Sequence, residues 1–214
     1  MFADRMFTAC FPTGVWMLMR EDADAFNAEL ISAIRDSQAT QTWLRNQTVH
    51  DPGYSQHSQS LDNLHEREAF QAFNEMALEA ARSVLEYMKY QYGSCYITSC
   101  WANISHIGEG HRSHIHPNNF LSGVYYAQAP EGCGEIVFDD PRQQVKVLIP
   151  STTEQTLLNS HEFRVQPKTG MLVMFPSWLA HRVTVSKCTD ERISIAFNVM
   201  LRGKMGFSMA SADL

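Results

Sequence analysis

The chain has 214 residues, 44% hydrophobic and 19% charged, and a net charge of −6 with its nine histidines neutral. That composition fills the core of an ordinary globular domain. It offers no surplus of Lys and Arg for a nucleic-acid backbone, and no apolar run nears the ~18 residues that cross a bilayer. Five scattered cysteines without a CxxC pair suggest neither a disulfide scaffold nor a zinc ribbon. The opening Met-Phe-Ala-Asp-Arg does not read as a secretory signal. The expectation is a cytoplasmic chain forming a single domain over 1–214, with neither a nucleic-acid nor a membrane partner.

The first half reads helical. Phe26, Leu30, Ala33 and Ile34 form one stripe in 22–38. Residues 46–60, rich in Gln, Ser, His and Gly, read as a loop. A longer helix follows, with Asn63 and Glu66 as a capping box and a stripe of Phe70, Phe73, Ala77, Ala80, Val84 and Tyr87. Gly93 is placed as its C-cap. The expected helical support region is 20–94.

From Cys95 the period changes. Short β-branched and aromatic runs alternate with Gly, Pro, Asn and Asp. Strands are expected near 95–106, 112–116, 121–128, 134–138, 145–149, 161–166, 171–176, 180–186 and 191–201. Many short strands without intervening helices indicate an antiparallel barrel or jelly roll. The fold class is therefore mainly β (α+β), with a core over 95–202 covered on one face by the N-terminal helices.

The densest chemical feature is His111-Arg-Ser-His114-Ile-His116. Residues i and i+2 of a strand share a face, so His114 and His116 can point together. His181, at the start of a later strand, can supply a distant third ligand. Three ligands on one face of an octahedron leave three positions open, the arrangement of non-haem iron oxygenases. A lone HxH is a weak signal. His106 and His161 read as structural or surface residues, and His111 as a neighbour of the site.

The last strand adds specificity. Arg192-Ile-Ser-Ile-Ala-Phe-Asn-Val199 alternates, with Ile193, Ile195, Phe197 and Val199 on one side and Arg192, Ser194 and Asn198 on the other. A half-exposed strand shows the same alternation with its polar side in water. With His181 eleven residues upstream of Arg192, the polar side becomes a lumen in which a guanidinium fork and a hydroxyl can clamp a carboxylate.

At these residues the chain resembles the 2-oxoglutarate/Fe(II)-dependent oxygenases, and a small bacterial and phage branch of them most. The likeness runs through His114-Ile-His-Pro-Asn-Asn-Phe-Leu-Ser-Gly-Val-Tyr-Tyr126, Gly134 to Arg142, Pro167 to His181, and Arg192 to Asn198. It covers about half the chain, from Trp101 to Met200. It implies a double-stranded β-helix of the cupin-like type, Fe(II), 2-oxoglutarate as cosubstrate, and O2. The reaction it implies is oxidation, by default hydroxylation, of a small-molecule or peptide substrate, with release of succinate and CO2. His114 and His181 match the two family histidines. Arg192 and Ser194 match the pair that takes the far carboxylate of 2-oxoglutarate, with Tyr126 on the strand that adds a hydroxyl. Asn103 resembles an asparagine directed at the metal-side carboxylate.

Position 116 departs from the family pattern, which has Asp or Glu where this chain has His116. Three neutral imidazoles leave the full 2+ charge on the metal. The acid could instead come from Asp139 or Asp140. Two other readings stand beside the oxygenase. One is a three-histidine dioxygenase without 2-oxoglutarate. The other is a non-catalytic ligand-binding jelly roll with a structural metal, which would require a closed four-ligand shell.

Overall fold

The architecture is described from a computed structural model, which covers residues 6–40, 43–45, 58–61, 63–206 and 210–214. A short strand β1 (Trp16–Met19) precedes helix α1 (Ala23–Thr40), the strand pair β2 (Leu44–Arg45) and β3 (Ser58–Gln59), and helix α2 (Gln71–Tyr87). Then come β4 (Ser94–Ser105), β5 (His111–His114), β6 (Leu121–Gln128), β7 (Ile136–Asp139), β8 (Glu162–Val165), β9 (Met171–Pro176), β10 (His181–Val183) and β11 (Arg192–Arg202). Two short strands, β12 (Lys204–Met205) and β13 (Ala212–Asp213), pair with each other. No helix among the described residues is long and apolar enough to cross a membrane.

The strands form a seven-stranded sheet, β1-β9-β6-β11-β4-β3-β2, and a four-stranded sheet, β5-β10-β7-β8, antiparallel throughout. Two such sheets of interleaved strands form the jelly roll expected from the strand pattern, in the double-stranded β-helix form that the family resemblance implies. The period of two decides which residue faces which layer. On β11 the sides with Ile193, Ile195, Phe197 and Val199 are fully buried against the helices, together with Leu30 and Ile34 of α1 and Phe73, Ala77, Ala81 and Leu85 of α2. Phe73 meets Phe197 edge-on at 5.7 Å between ring centroids. On β6, Tyr125 turns to the same layer and donates its hydroxyl to Asn27 Oδ1 at 2.6 Å. A second apolar cluster fills the space between the two sheets: Tyr126, Ile136, Phe138, Val165, Met171, Val173, Phe175 and Leu179.

Several local expectations are corrected. Asn63 precedes and Glu66 ends a 3-10 turn (Leu64–Glu66), Asn63 makes no side-chain cap bond, and α2 starts only at Gln71. Helix α2 ends at Tyr87, and Lys89, not Gly93, takes the left-handed position at φ 57°. Gly93 instead donates its N–H to the Arg202 carbonyl at 2.7 Å. Tyr87 closes the expected stripe in sequence but is 75% exposed, its ring meeting Trp16 of β1 edge-on at 6.5 Å. The strand expected at 145–149 is a 3-10 turn, Gln143–Lys146, followed by exposed Val147, Leu148 and Ile149. β-branched residues favour a strand only where a partner strand exists, and here none pairs with them. Of the loop expected over 46–60, residues 46–57 lie outside the described residues, and Ser58–Gln59 adds a strand to β4.

A candidate metal and carboxylate site

His114 ends β5 and His181 begins β10, and the two are direct cross-strand partners. His116 follows two residues after His114, its backbone N–H donating to the Ser177 carbonyl at 2.9 Å. The strand expected to run to 116 ends at His114, so the bond to Ser177, rather than strand alternation, places His116 beside His114, while sheet pairing brings His181 to meet them. Nitrogen atoms of all three lie within 4.8 Å of one another. The Nε2 atoms of His116 and His181 are 3.3 Å apart. Two donors bound at ~2.1 Å at a right angle on one ion would be separated by about 3 Å, so the spacing suits a common cation.

Tautomers are fixed by what each ring touches. His114 Nδ1 lies 2.8 Å from the Arg112 carbonyl, and His181 Nδ1 lies 2.9 Å from that of Leu179. A carbonyl only accepts, so both δ nitrogens donate, and both Nε2 atoms keep a lone pair for a metal. Burial pushes the His181 pKa down to about 3, with the neighbouring His114 adding to the effect. Burial, then His114, likewise lowers His116 to about 4. Rings that resist protonation near neutral pH are ready to bind a cation. Trp101 lies beside His116, its ring centroid 5.7 Å away.

The histidines form a three-member group that no carboxylate joins among the described residues. Asp139 is held by Ser113 and Arg182, and Asp140 by Arg142. Neither therefore takes the place of the family acid. His111 stays near the group, 6.3 Å from the His114 ring centroid, while His106 faces Glu191 across 3.7 Å. His161 is not part of the group, and its Nδ1 is buried without a hydrogen-bond partner.

Arg192, expected to take a carboxylate, lies on the lumen side of β11. Arg192 is only 3% exposed. Its Nη1 donates to the Gly134 carbonyl and its Nη2 to Ser105 Oγ, each at 3.1 Å. Its Nε is buried without a partner, and no carboxylate among the described residues pairs with it. Register sets Ser194 opposite Tyr126 on one side and Asn103 on the other. All three are buried, and Asn103 Oδ1 also lacks a partner. Burial pushes the Tyr126 hydroxyl up to about 12, partly offset by the Arg192 charge beside it. An unanswered buried guanidinium is costly, and a carboxylate is its natural complement.

Sequence reasoning missed two supports. Ser105 joins Arg192 only because β4 pairs with β11 in this register. Asn198, recognised as facing the lumen, belongs to a chain of bonds: its Nδ2 donates to Ser99 Oγ at 2.9 Å, its Oδ1 accepts from Ser122 Oγ at 2.7 Å, and Ser122 meets Ser177 Oγ at 2.8 Å. Isolated serines carry no sequence signal for such a ladder.

Fold and site together give a double-stranded β-helix in which three imidazoles converge and a buried guanidinium nitrogen lacks a partner. Residues 99–198, most of the β-helix core, match the family described as "Putative 2OG-Fe(II) oxygenase". Solved structures share the fold. A prolyl-4-hydroxylase from Pseudomonas putida aligns over 87% of this chain and 92% of its own, at 15% identity and TM-score 0.61. HygX from Streptomyces hygroscopicus, solved with nickel and 2-oxoglutarate, aligns over 88% and 83%, at 13% identity and TM-score 0.57. The epimerase SnoN of nogalamycin biosynthesis, solved with Fe3+, alpha ketoglutarate and nogalamycin RO, aligns over 88% and 79%, at 12% identity and TM-score 0.65. No curated protein sequence matches the chain.

Proposed function

We propose that this chain is a 2-oxoglutarate-dependent oxygenase in which His114, His116 and His181 hold Fe(II) and Arg192 holds the far carboxylate of 2-oxoglutarate. The observation that carries the reading is the pairing of two unmet demands inside one lumen. Three imidazole nitrogens converge within 4.8 Å, and a buried guanidinium nitrogen lacks a partner. A metal satisfies the first and a dicarboxylate the second. With both bound, iron, 2-oxoglutarate and O2 supply an oxidant able to attack a substrate C–H bond, with release of succinate and CO2.

The chain's own residues do the placing. The guanidinium of Arg192 draws the carboxylate into the lumen, and the hydroxyls of Ser194 and Tyr126 complete its hydrogen bonds. Tyr126 stays protonated near neutral pH and so remains a donor. Asn103 lies on the same face for the metal-side carboxylate. Val173, Phe175 and Phe138 keep water from the lumen, which strengthens every charged contact inside it. The default outcome is hydroxylation of a small molecule or peptide. The acidic composition supports a substrate other than nucleic acid, and five free cysteines support a cytoplasmic setting.

The test is succinate release from 2-oxoglutarate in the presence of Fe(II) and O2 without a prime substrate. Slow uncoupled turnover supports the reading. Metal binding without any succinate would instead favour a three-histidine dioxygenase that does not use 2-oxoglutarate, a reading supported by the absence of a carboxylate from the histidine group.

A further inference from the structure

The three residues that face inward at the mouth of the site each have an outward-facing sequence neighbour. His114 follows Ser113, His181 precedes Arg182, and Phe138 precedes Asp139. Strand alternation puts each neighbour on the outer face of the four-stranded sheet, and there they meet. Ser113 Oγ donates to Asp139 Oδ2 at 2.6 Å, and Arg182 donates to Asp139 Oδ1. Asp139 also donates its backbone N–H to the Ala180 carbonyl, at 2.9 Å, immediately before His181. Arg182 reaches on to Glu162, which binds Arg164, which in turn meets Glu135 at 3.1 Å.

We propose that Asp139 is a positioning residue for the metal site, fixing the separation of His114 and His181 from the opposite face of the sheet. The inference rests on the reading that these histidines hold a metal. β5 is a four-residue edge strand, and β10 has three residues. Only two registered pairs join them, His181 with His114 and Val183 with His111, and the register shifts between them. Each ring takes its orientation from a carbonyl of its own segment, Arg112 or Leu179, so a ring moves wherever its strand moves. So thin a ladder leaves the gap between the two rings weakly specified, and Asp139, on β7 along the other side of β10, reaches residues of both strands. The side chains of Asp139 and Arg182 are 26% and 24% exposed, so the tie is less screened than one in open water.

The experiment titrates Co(II) alone into the metal-free chain without O2, following the visible d–d bands. Asp139→Ala should bind Co(II) about tenfold more weakly, the low end for groups that support metal ligands, with shifted bands. Ser113→Ala deletes one exposed hydroxyl, leaves the fold intact and should shift affinity and bands the same way. Arg164→Gln cuts the outer part of the same network without touching Asp139 and should leave both unchanged. A thermal melt accompanies each variant. If Asp139→Ala does not fold, Ser113→Ala decides. Wild-type affinity and bands in a folded Asp139→Ala or in Ser113→Ala would overturn the proposal, as would equal weakening in Arg164→Gln. Failure of the premise looks different: the wild type would then bind Co(II) no better than His181→Ala does.

Discussion

Replacing Arg192 with Ala removes a guanidinium that is 3% exposed and is held, among the described residues, by the neutral oxygens of Gly134 and Ser105. In the unliganded chain that charge has no described carboxylate to answer it, so deleting it should cost the fold little. The melting temperature should stay near the wild-type value or rise, since an uncompensated buried charge opposes folding. The loss appears when 2-oxoglutarate binds. Truncating one partner of a buried charge pair costs about 2–5 kcal/mol, which at ~1.4 kcal/mol per tenfold weakens the Kd for 2-oxoglutarate by roughly 30- to several-thousand-fold. Calorimetric titration with 2-oxoglutarate on the Ni(II)-loaded chain reads this directly. Thermal shift gives an independent reading. Ligand at 100 times its Kd stabilises by about 2.7 kcal/mol, or roughly 5–11 °C for a chain of this size, and the variant should lose that shift. Ni(II) affinity should change little. A variant Kd within twofold of wild type would refute the argument that Arg192 awaits a carboxylate.

His116→Ala should weaken Fe(II) or Co(II) binding by at least tenfold, whereas His116→Asp should still bind, since it restores the acid usual in the family. Unchanged affinity in the Ala variant, measured by metal titration, would make His116 a bystander. Gly123→Ala would place a Cβ 2.4 Å from the Phe197 ring, which Phe73 pins from the far side. Overpacking of that kind costs about 1–3 kcal/mol, seen as a Tm lowered by roughly 2–12 °C, and an unchanged melt would refute it. The Tyr126 hydroxyl, pushed up to about 12 chiefly by burial, lies above the ~10 of an unfolded tyrosine. The folded state therefore holds its proton longer, and the associated stability is present below pH 10 and lost as pH rises toward 12. Stability of Tyr126→Phe should fall less steeply over that window, and identical slopes in denaturant melts would count against it.

The sequence was most informative where a feature repeats within one element. Alternation along Arg192 to Val199 set the two faces of β11, and His114 and His116 were near each other in sequence, though His116 lies beyond the end of β5 and is held by the Ser177 carbonyl. The stripe from Phe73 to Val84 marked the face of α2 that covers the sheet. Features that depend on meeting another element were less legible. The apolar run 147–149 has strand propensity but no partner strand, so it stays exposed. The start and end of α2 were decided by its fit to the sheet rather than by Asn63 and Gly93. Asp139 reads in sequence as a turn acid and a candidate ligand, and only the register of β7 against β10 gives it to Arg182 and Ser113. His181 could be proposed as a ligand from its strand position, but its distance to His116 is a property of sheet pairing across 65 residues. Local periodicity is written in adjacent residues, because each strand or helix imposes its own period. Which strands pair, and in which register, depends on burial summed over the whole barrel, and that sum exists only once the chain has closed on itself.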